Sequence, residues 1–350
     1  MKDKGETTLV VGGGLAGMEA ALKIGQAGYK VILVEKQAVL GGVLGQLYSS
    51  FPRWEDPQAL LNNKLQQIQQ CPQIMVLTGM SITNAQRDDK VYIVDLQGIN
   101  QGDIRQIRVD AVVLATGFEL FDASVYGEYG YGIYPNVVNS LEFEAKLKEW
   151  GSGHSEQIPP KSVAFFKCVG SRDRSKGKPY CSKICCMYTA KQAGIVKDMF
   201  PEAKAYVFYM DYRASGKDYE EFTRSVIETK HVRYVRGRPS KVLPENGKLI
   251  VRAEDTLMGV PIEVEVDMIV LAAAIIPSRG TRELAQMFRA VTDEYGFLEH
   301  ETFNPVKAGD RVFFAGACGF AIETQGAQYQ GAAAAAEVIA LFNRDPQGGD

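Results

Sequence analysis

No stretch of this 350-residue sequence is apolar for long enough to cross a bilayer. The two most apolar runs, Met268 to Pro277 and Ala332 to Phe342, fall short of the roughly 20 residues a spanning helix needs. The second run also carries Glu337. The opening Met1-Lys-Asp-Lys-Gly-Glu leads straight into a strand and lacks the apolar core of a signal peptide. A cytoplasmic chain without a transmembrane segment is therefore expected. A surplus of basic charge is lacking as well: 39 Lys and Arg against 42 Asp and Glu give a net charge of -3, which argues against a nucleic-acid partner. There are three histidines. His154 falls in a linker, His231 before a strand and His300 in a polar turn, and none has a partner at metal-ligand spacing. Six cysteines in a cytoplasmic chain do not suggest a disulfide framework. The remainder, 46% hydrophobic and 23% charged, is an ordinary globular composition, with length for about two domains at roughly 150 residues each.

Strands alternate with helices along the chain. Thr7 to Val11 is a β-branched run, followed by a glycine turn, a helical pattern from Ala16 to Ala27, and a second strand, Lys30 to Glu35. A helix is expected over Pro57 to Gln70. Short strands follow at Ile74 to Thr78, Val91 to Leu96 and Ile104 to Val109, with hairpin character, then a buried strand at Ala111 to Thr116. Gly151 to Pro160 reads as a linker. After it the pattern restarts with a strand at Ser162 to Lys167, a helix at Cys181 to Met199, a strand at Lys204 to Met210 and a helix at Tyr219 to Lys230. Met268 to Ala273 repeats the character of Ala111 to Thr116, and an alanine-rich helix at Gly326 to Phe342 closes the pattern. The prediction is a doubly wound α/β fold of two Rossmann-like domains, the first discontinuous. The expected divisions are 1–155, 156–265 and 266–350, the last returning to the first domain.

The glycine turn fits G-x-G-x-x-G through Gly12, Gly14 and Gly17, with Leu15 and Ala16 at the helix start. Gly12 permits the tight turn, Gly14 lets a pyrophosphate approach the backbone, and Gly17 allows close helix–strand packing. The helix N-terminus offers N–H groups and a positive dipole end to phosphate. Glu35, ending the second strand, is placed to accept from ribose hydroxyls. Three further features favour FAD over NAD. Lys36, Gly41 and Gly42 resemble the loop after the acidic residue in flavoprotein disulfide reductases. Val112-Val-Leu-Ala-Thr-Gly117 resembles their second motif, which brings in Ala115, Thr116 and Gly117. Arg311-Val-Phe-Phe-Ala-Gly316 resembles their late flavin motif, but Ala317 and Cys318 replace the Asp that usually follows it. Thr324 and Gln325, before the last helix, are candidates to line a flavin. That helix would aim its N-terminus at the pyrimidine end.

The second half lacks the glycine fingerprint that would bind NAD(P)H. Cysteines occupy its place: Cys168, Cys181, Cys185 and Cys186, spaced C-x12-C-x3-C-C. Buried small hydrophobes, zinc or a redox-active pair are alternatives to an Fe–S site. Adjacent cysteines suit zinc ribbons poorly, and four thiolates suit an Fe–S cluster. Cys71 reads as an ordinary thiol, and Cys318 sits near the expected flavin, where a redox role would be open to it.

Cys168-Val-Gly-Ser-Arg-Asp173 with Tyr180-Cys-Ser-Lys-Ile-Cys-Cys-Met-Tyr-Thr-Ala-Lys191 resembles the A-type subunits of heterodisulfide reductases over nearly the whole chain. The resemblance implies a thioredoxin-reductase-like core with FAD and a [4Fe-4S] cluster on Cys168, Cys181, Cys185 and Cys186. It also implies a lysine, here Lys191, approaching the flavin N5. No C-x2-C-x2-C-x3-C run is present for ferredoxin-type clusters. The short form is similar to the A-type component of sulfur-oxidising heterodisulfide reductase-like complexes, which implies B- and C-type partner subunits, a lipoate-binding protein as an indirect partner, and a homodimer. The flavoprotein of a quinone-interacting oxidoreductase and a free-standing NAD(P)H-dependent disulfide reductase are the alternatives.

Overall fold

The computed structural model describes residues 4–99, 103–153 and 158–344. His154 and part of the expected linker lie outside them. In chain order the elements begin with β1 (Lys4–Val11), α1 (Leu15–Gln26), β2 (Tyr29–Glu35), α2 (Pro57–Gln69), β3 (Ile74–Thr78), β4 (Met80–Asp88) and β5 (Val91–Gly98). Next come β6 (Ile104–Val109), β7 (Ala111–Leu114), β8 (Phe118–Leu120), β9 (Val137–Asn139), α3 (Ser140–Gly151), β10 (Ser162–Val169), α4 (Cys185–Met199) and β11 (Lys204–Tyr209). They continue with α5 (Tyr219–Glu228), β12 (Arg233–Arg236), β13 (Lys241–Glu245), β14 (Lys248–Asp255), β15 (Val260–Val266), β16 (Met268–Ala273) and β17 (Ile275–Pro277). The last are α6 (Thr281–Met287), β18 (Lys307–Gly309), β19 (Val312–Phe314) and α7 (Thr324–Arg344).

The chain forms two compact units, one of 1–45, 58–119 and 276–350, the other of 46–57 and 120–275. The first is discontinuous in chain order, and the divisions differ from those read in the sequence. The reason is strand pairing. β16, expected in the first domain, pairs in parallel with β10, and β9 pairs in parallel with β16. Both strands and α3 therefore belong to the second unit.

The first unit carries a six-stranded sheet in the order β18-β19-β7-β1-β2-β3. Its inner strands β1, β2 and β7 are parallel. β7 is buried throughout, the continuous apolar run expected of a parallel strand covered on both faces. α1 and α7 lie together against this sheet through Ala16, Ala20, Ile24, Ala334 and Val338. A Cβ on Gly331 would stand 2.5 Å from the Ala16 carbonyl oxygen, so glycine permits that close approach. β4, β5 and β6 form a separate antiparallel sheet.

The second unit carries a parallel sheet in the order β12-β11-β10-β16-β9. All eight residues of β10 are buried. β13, β14 and β15 make an antiparallel sheet of their own. α3 starts on a capping box. The Asn139 side chain accepts from the Leu141 and Glu142 N–H groups, and Glu142 accepts from the Asn139 N–H at 2.8 Å.

Asp267 joins the ends of β10 and β15. Its Oδ2 accepts from the Lys161 and Ser162 N–H groups at 2.8 Å each and from Ser162 Oγ at 3.0 Å, and Oδ1 pairs with Lys248. Burial pushes this carboxyl up, but the bonds from Lys248 and Ser162 outweigh it and leave the group below its ordinary value. Because the folded-state value is depressed, the stability it lends is present above the ordinary value and is lost as pH falls through the folded one. Asp267→Asn is expected to cost about 1–3 kcal/mol near neutrality. That loss should shrink in acid, as read by urea denaturation at two pH values. An equal loss at both would show that the charge is not what stabilises.

No helix of the described residues is long and apolar enough to cross a membrane.

Candidate functional site: a dinucleotide cradle and a buried thiol cluster

Doubly wound sheets bind ligands beyond the carboxyl ends of their strands, where the strand order reverses. Each unit has such a point, and each holds one of the two motifs.

In the first unit the point lies between β1 and β7. The turn after β1 is held tight. A Cβ on Gly12 would lie 2.3 Å from the Ala115 carbonyl oxygen, and one on Gly17 would lie 1.9 Å from the Gly12 carbonyl oxygen. Gly12 also has φ +109°, a region that side chains other than glycine's rarely adopt. At Gly14 a Cβ would meet nothing within 4 Å, so this backbone faces open space. Gly14 caps α1 without a side-chain hydrogen bond, which leaves the first-turn N–H groups free of a capping side chain. Leu15 and Ala16 are buried behind it.

The buried Glu35 accepts from the Gly13 N–H at 2.6 Å and the Gln37 N–H at 2.8 Å, which fixes its carboxylate at the end of β2. Gly41 donates to the Gly13 carbonyl at 2.9 Å, bringing the Gly41-Gly42 loop against the turn, while Lys36 is exposed. Ala115, Thr116 and Gly117 follow β7. Thr116 Oγ1 is 2.9 Å from Thr281 Oγ1, and its carbonyl accepts from Ser278 Oγ at 2.6 Å. Gly316 also packs on Ala16, and its N–H donates to Gln330 Oε1 at 2.9 Å. Gln330 is a support that sequence reading missed. Ala317 is buried, Thr324 opens α7, and the exposed Gln325 donates along its own helix to the Tyr329 hydroxyl. Cys318 is fully buried, with Sγ against the Leu114 and Ala315 carbonyls. Burial pushes its thiol up to about 11, which argues against a reactive thiolate.

In the second unit the point lies between β10 and β16, and Cys168 stands there. The sequence expectation of a helix from Cys181 needs correction, because α4 begins at Cys185. Lys183 has φ 55°, which interrupts helical geometry ahead of α4, and Arg172 on the preceding loop has φ 60°. Cys168 is also left-handed, at φ 59°. Each such residue costs on the order of 1 kcal/mol or more. The loop is held by serines. Ser171 Oγ donates to the Tyr180 carbonyl and accepts from the Ser182 N–H, both at 3.0 Å, and the buried Ser182 Oγ accepts from the Ile275 N–H at 2.9 Å.

Cys168, Cys185 and Cys186 are buried and interact in a row through Cys185. Hydrogen bonding to Cys168 and Cys186 raises the Cys185 thiol well above its ordinary value. The bond from Cys185 lowers Cys168 and Cys186, with the nearby Lys167 charge adding to it. Cys181 is half-buried in the loop. Among the described residues, no group of three or more Cys, His, Asp or Glu side chains is arranged to hold a single metal ion. The donor chemistry does fit an anionic Fe–S cluster, and one further residue points the same way. Lys167, 5% exposed, has an ammonium with no oxygen acceptor among the described residues, and its polar neighbour is the Cys186 thiol. It lies 4.5 Å from the ring centroid of Tyr212 and 5.3 Å from that of Tyr209. A buried cation without an oxygen acceptor, beside thiolates, is suited to an anionic group. The sequence signal was a lysine inside an apolar strand.

Lys191 is buried on α4. Its Nζ donates to Glu144 Oε1 at 2.6 Å and to the Ser49 carbonyl at 2.9 Å. Glu144 also accepts from Gln192 Nε2 at 2.6 Å and the Tyr48 N–H at 2.8 Å. Sequence reading did not single out Glu144.

Comparison with known proteins finds a family model and curated relatives. Residues 6–154 match the family model described as pyridine nucleotide-disulphide oxidoreductase. The A-type iron-sulfur subunit of CoB–CoM heterodisulfide reductase from Methanocaldococcus jannaschii is 32% identical, over 86% of this chain and 59% of that protein. Its counterpart from Methanopyrus kandleri is 30% identical, over 95% of this chain and 64% of that protein. The chain thus spans about six tenths of the length of the curated relatives it matches. The thioredoxin reductase of Lactococcus lactis superposes with a TM-score of 0.67 at 15% identity, over 97% of this chain and 99% of that one, and this likeness shows the fold. With the cysteine pattern and the two switch-point sites in place, the chain is a homologue of the A-type heterodisulfide reductase subunits over most of its own length.

Proposed function

We propose that this chain is an oxidoreductase: a flavin- and iron–sulfur-bearing electron-transfer subunit of a heterodisulfide reductase-type complex. The observation that carries the reading is the thiol cluster at the switch point of the second sheet, where a nicotinamide-binding turn would otherwise stand. FAD would lie on Gly12, Gly14, Gly17 and Glu35, with Ala115 to Gly117 and Gly316 beside it. Cys168, Cys181, Cys185 and Cys186 would hold a [4Fe-4S] cluster. Such a pair of cofactors exchanges two electrons at the flavin and one at a time at the cluster. The chain's own part is to bind and orient them. The α1 N-terminus and the open backbone at Gly14 receive phosphate, Glu35 orients ribose, and Lys167 offsets thiolate charge. Lys191 is proposed as the cation that tunes the flavin, a role in which it would exchange its present partner, Glu144. B- and C-type partner subunits, a homodimer, a cytoplasmic setting and sulfur oxidation with a lipoate-binding protein are parts of the same proposal.

The test is an anaerobic preparation of the full chain, assayed for FAD, iron and sulfide. About one flavin and about four irons per chain are expected. Cys185→Ser should lose the iron and keep the flavin. A colourless, iron-free preparation would overturn the cluster. Rapid flavin reduction by NAD(P)H without partners would favour the free-standing reductase instead.

A further inference from the structure

The loop that joins Cys168 to the other cysteines is basic in a chain whose net charge is -3. Arg172, Arg174, Lys176 and Lys178 lie on it, and neighbouring segments add Arg213 and Arg238. Contacts gather five of these residues into two groups that meet at the adjacent Arg172 and Asp173, and Arg174 follows on the same loop. Arg172 and Arg213 both reach Asp211, at 2.7 and 3.7 Å. Arg238 reaches Asp173 at 3.6 Å, and Lys176 and Arg238 stand over the Tyr126 ring at 5.3 and 5.2 Å. Asp173 and Lys178 exchange backbone hydrogen bonds. Asp211 pairs with two of the six cations and Asp173 with one, so the cations outnumber these two carboxylates and leave a local surplus of positive charge.

Two members touch the thiols as well as the surface. Arg172 interacts with Cys168, and the Arg213 backbone bonds to Cys186. Arg174, Arg213 and Arg238 are exposed. The loop is also pre-formed. Asp173 accepts from the Ser175 N–H at 2.9 Å and from the Tyr126 hydroxyl at 2.7 Å. Little ordering would remain to be done on docking, which favours affinity.

We propose that this cationic rim is a docking surface for an acidic electron-carrier protein. Complementary charge speeds encounter and sets orientation, and its effect is screened by salt. A partner seated on Arg172 and Arg213 would lie one side chain away from the thiol cluster. The choice of carrier rests on the electron-transfer reading above, whereas the docking itself does not. A polyanion such as nucleic acid is disfavoured because the chain as a whole is acidic and the positive charge is confined to this loop.

The experiment measures binding of the full chain to a plant-type [2Fe-2S] ferredoxin at low and high ionic strength, with FAD and iron assayed on the same samples. The wild type should bind at low salt and release at high salt. Arg174→Glu/Lys178→Glu should weaken binding by about tenfold or more at low salt and flatten the salt dependence. Lys161→Glu/Lys204→Glu, at the amino ends of β10 and β11, should leave binding nearly unchanged. Several outcomes would overturn the proposal: no binding by the wild type, unchanged binding by the loop variant, equal weakening by the control, or tighter binding of a single-stranded oligonucleotide. Salt-sensitive docking by a preparation free of FAD and iron would instead sink the electron-transfer reading and leave the docking surface standing. A loaded chain that does not dock would do the reverse.

Discussion

Glu144→Ala should lower the unfolding free energy of the second unit by about 3–5 kcal/mol, the cost of stranding one partner of a buried ion pair. Glu144 and Lys191 are each 2% exposed at their side chains and meet at 2.6 Å. The substitution also removes the acceptor of the Tyr48 N–H and of Gln192 Nε2, although Gln192 keeps its bond to the Ser140 carbonyl. Lys191 would then hold a buried charge against the Ser49 carbonyl alone among these partners. Replacing both ions at once should cost far less, because apolar groups of similar volume need no desolvation to be offset. Glu144→Leu/Lys191→Met is thus expected to recover most of the stability while removing the cation proposed to tune the flavin. Urea denaturation of the two variants, followed by intrinsic fluorescence, makes the comparison. If Glu144→Ala lies within about 1 kcal/mol of wild type, the pair is not a structural tie.

The parts of the fold written in local pattern were legible in the sequence. The β1 turn, α1, β2 and Glu35 form one continuous βαβ unit, and the structure places them as that pattern requires. β7 and β16 were visible because parallel strands covered on both faces read as unbroken apolar runs. What escaped were elements whose identity depends on distant partners. β9 spans three residues and is a strand because β16 pairs with it. α3 carries the capping box Asn139-Ser-Leu-Glu142, a signal present in the sequence but not used, and with α3 went Glu144. The start of α4 was placed four residues early, since helical spacing alone does not reveal that Lys183 adopts a left-handed conformation. At the site, the cysteines and glycines stood out by residue type. The charges that surround the cysteines did not, because Lys167 and the Tyr209 and Tyr212 rings come together only when β10 and β11 pair.

Lys167→Met should change stability in opposite directions in the cluster-free and the loaded protein. Without a cluster, the ammonium of Lys167 is buried, has no oxygen acceptor among the described residues, and is offset by aromatic faces and neighbouring thiols. Aromatic faces stabilise a desolvated cation by about 2 kcal/mol. The desolvation of an ammonium costs several kcal/mol. Methionine keeps the length and flexibility of the side chain while removing the charge. The cluster-free variant should therefore melt a few degrees higher than the cluster-free wild type, about 1–2 kcal/mol in stability. In the loaded protein the same charge would face an anionic group ligated by Cys168 and Cys186. Its removal should then speed iron loss to a chelator by about tenfold, equivalent to roughly 1.4 kcal/mol. Lys167→Arg, which keeps the charge, should retain iron better than Lys167→Met. A lysine that only packs the end of β10 would shift both forms the same way, so thermal melts of the cluster-free proteins beside iron-release rates of the loaded ones decide between the two roles. Parallel losses in both forms, with no recovery by arginine, would refute the charge-offsetting role.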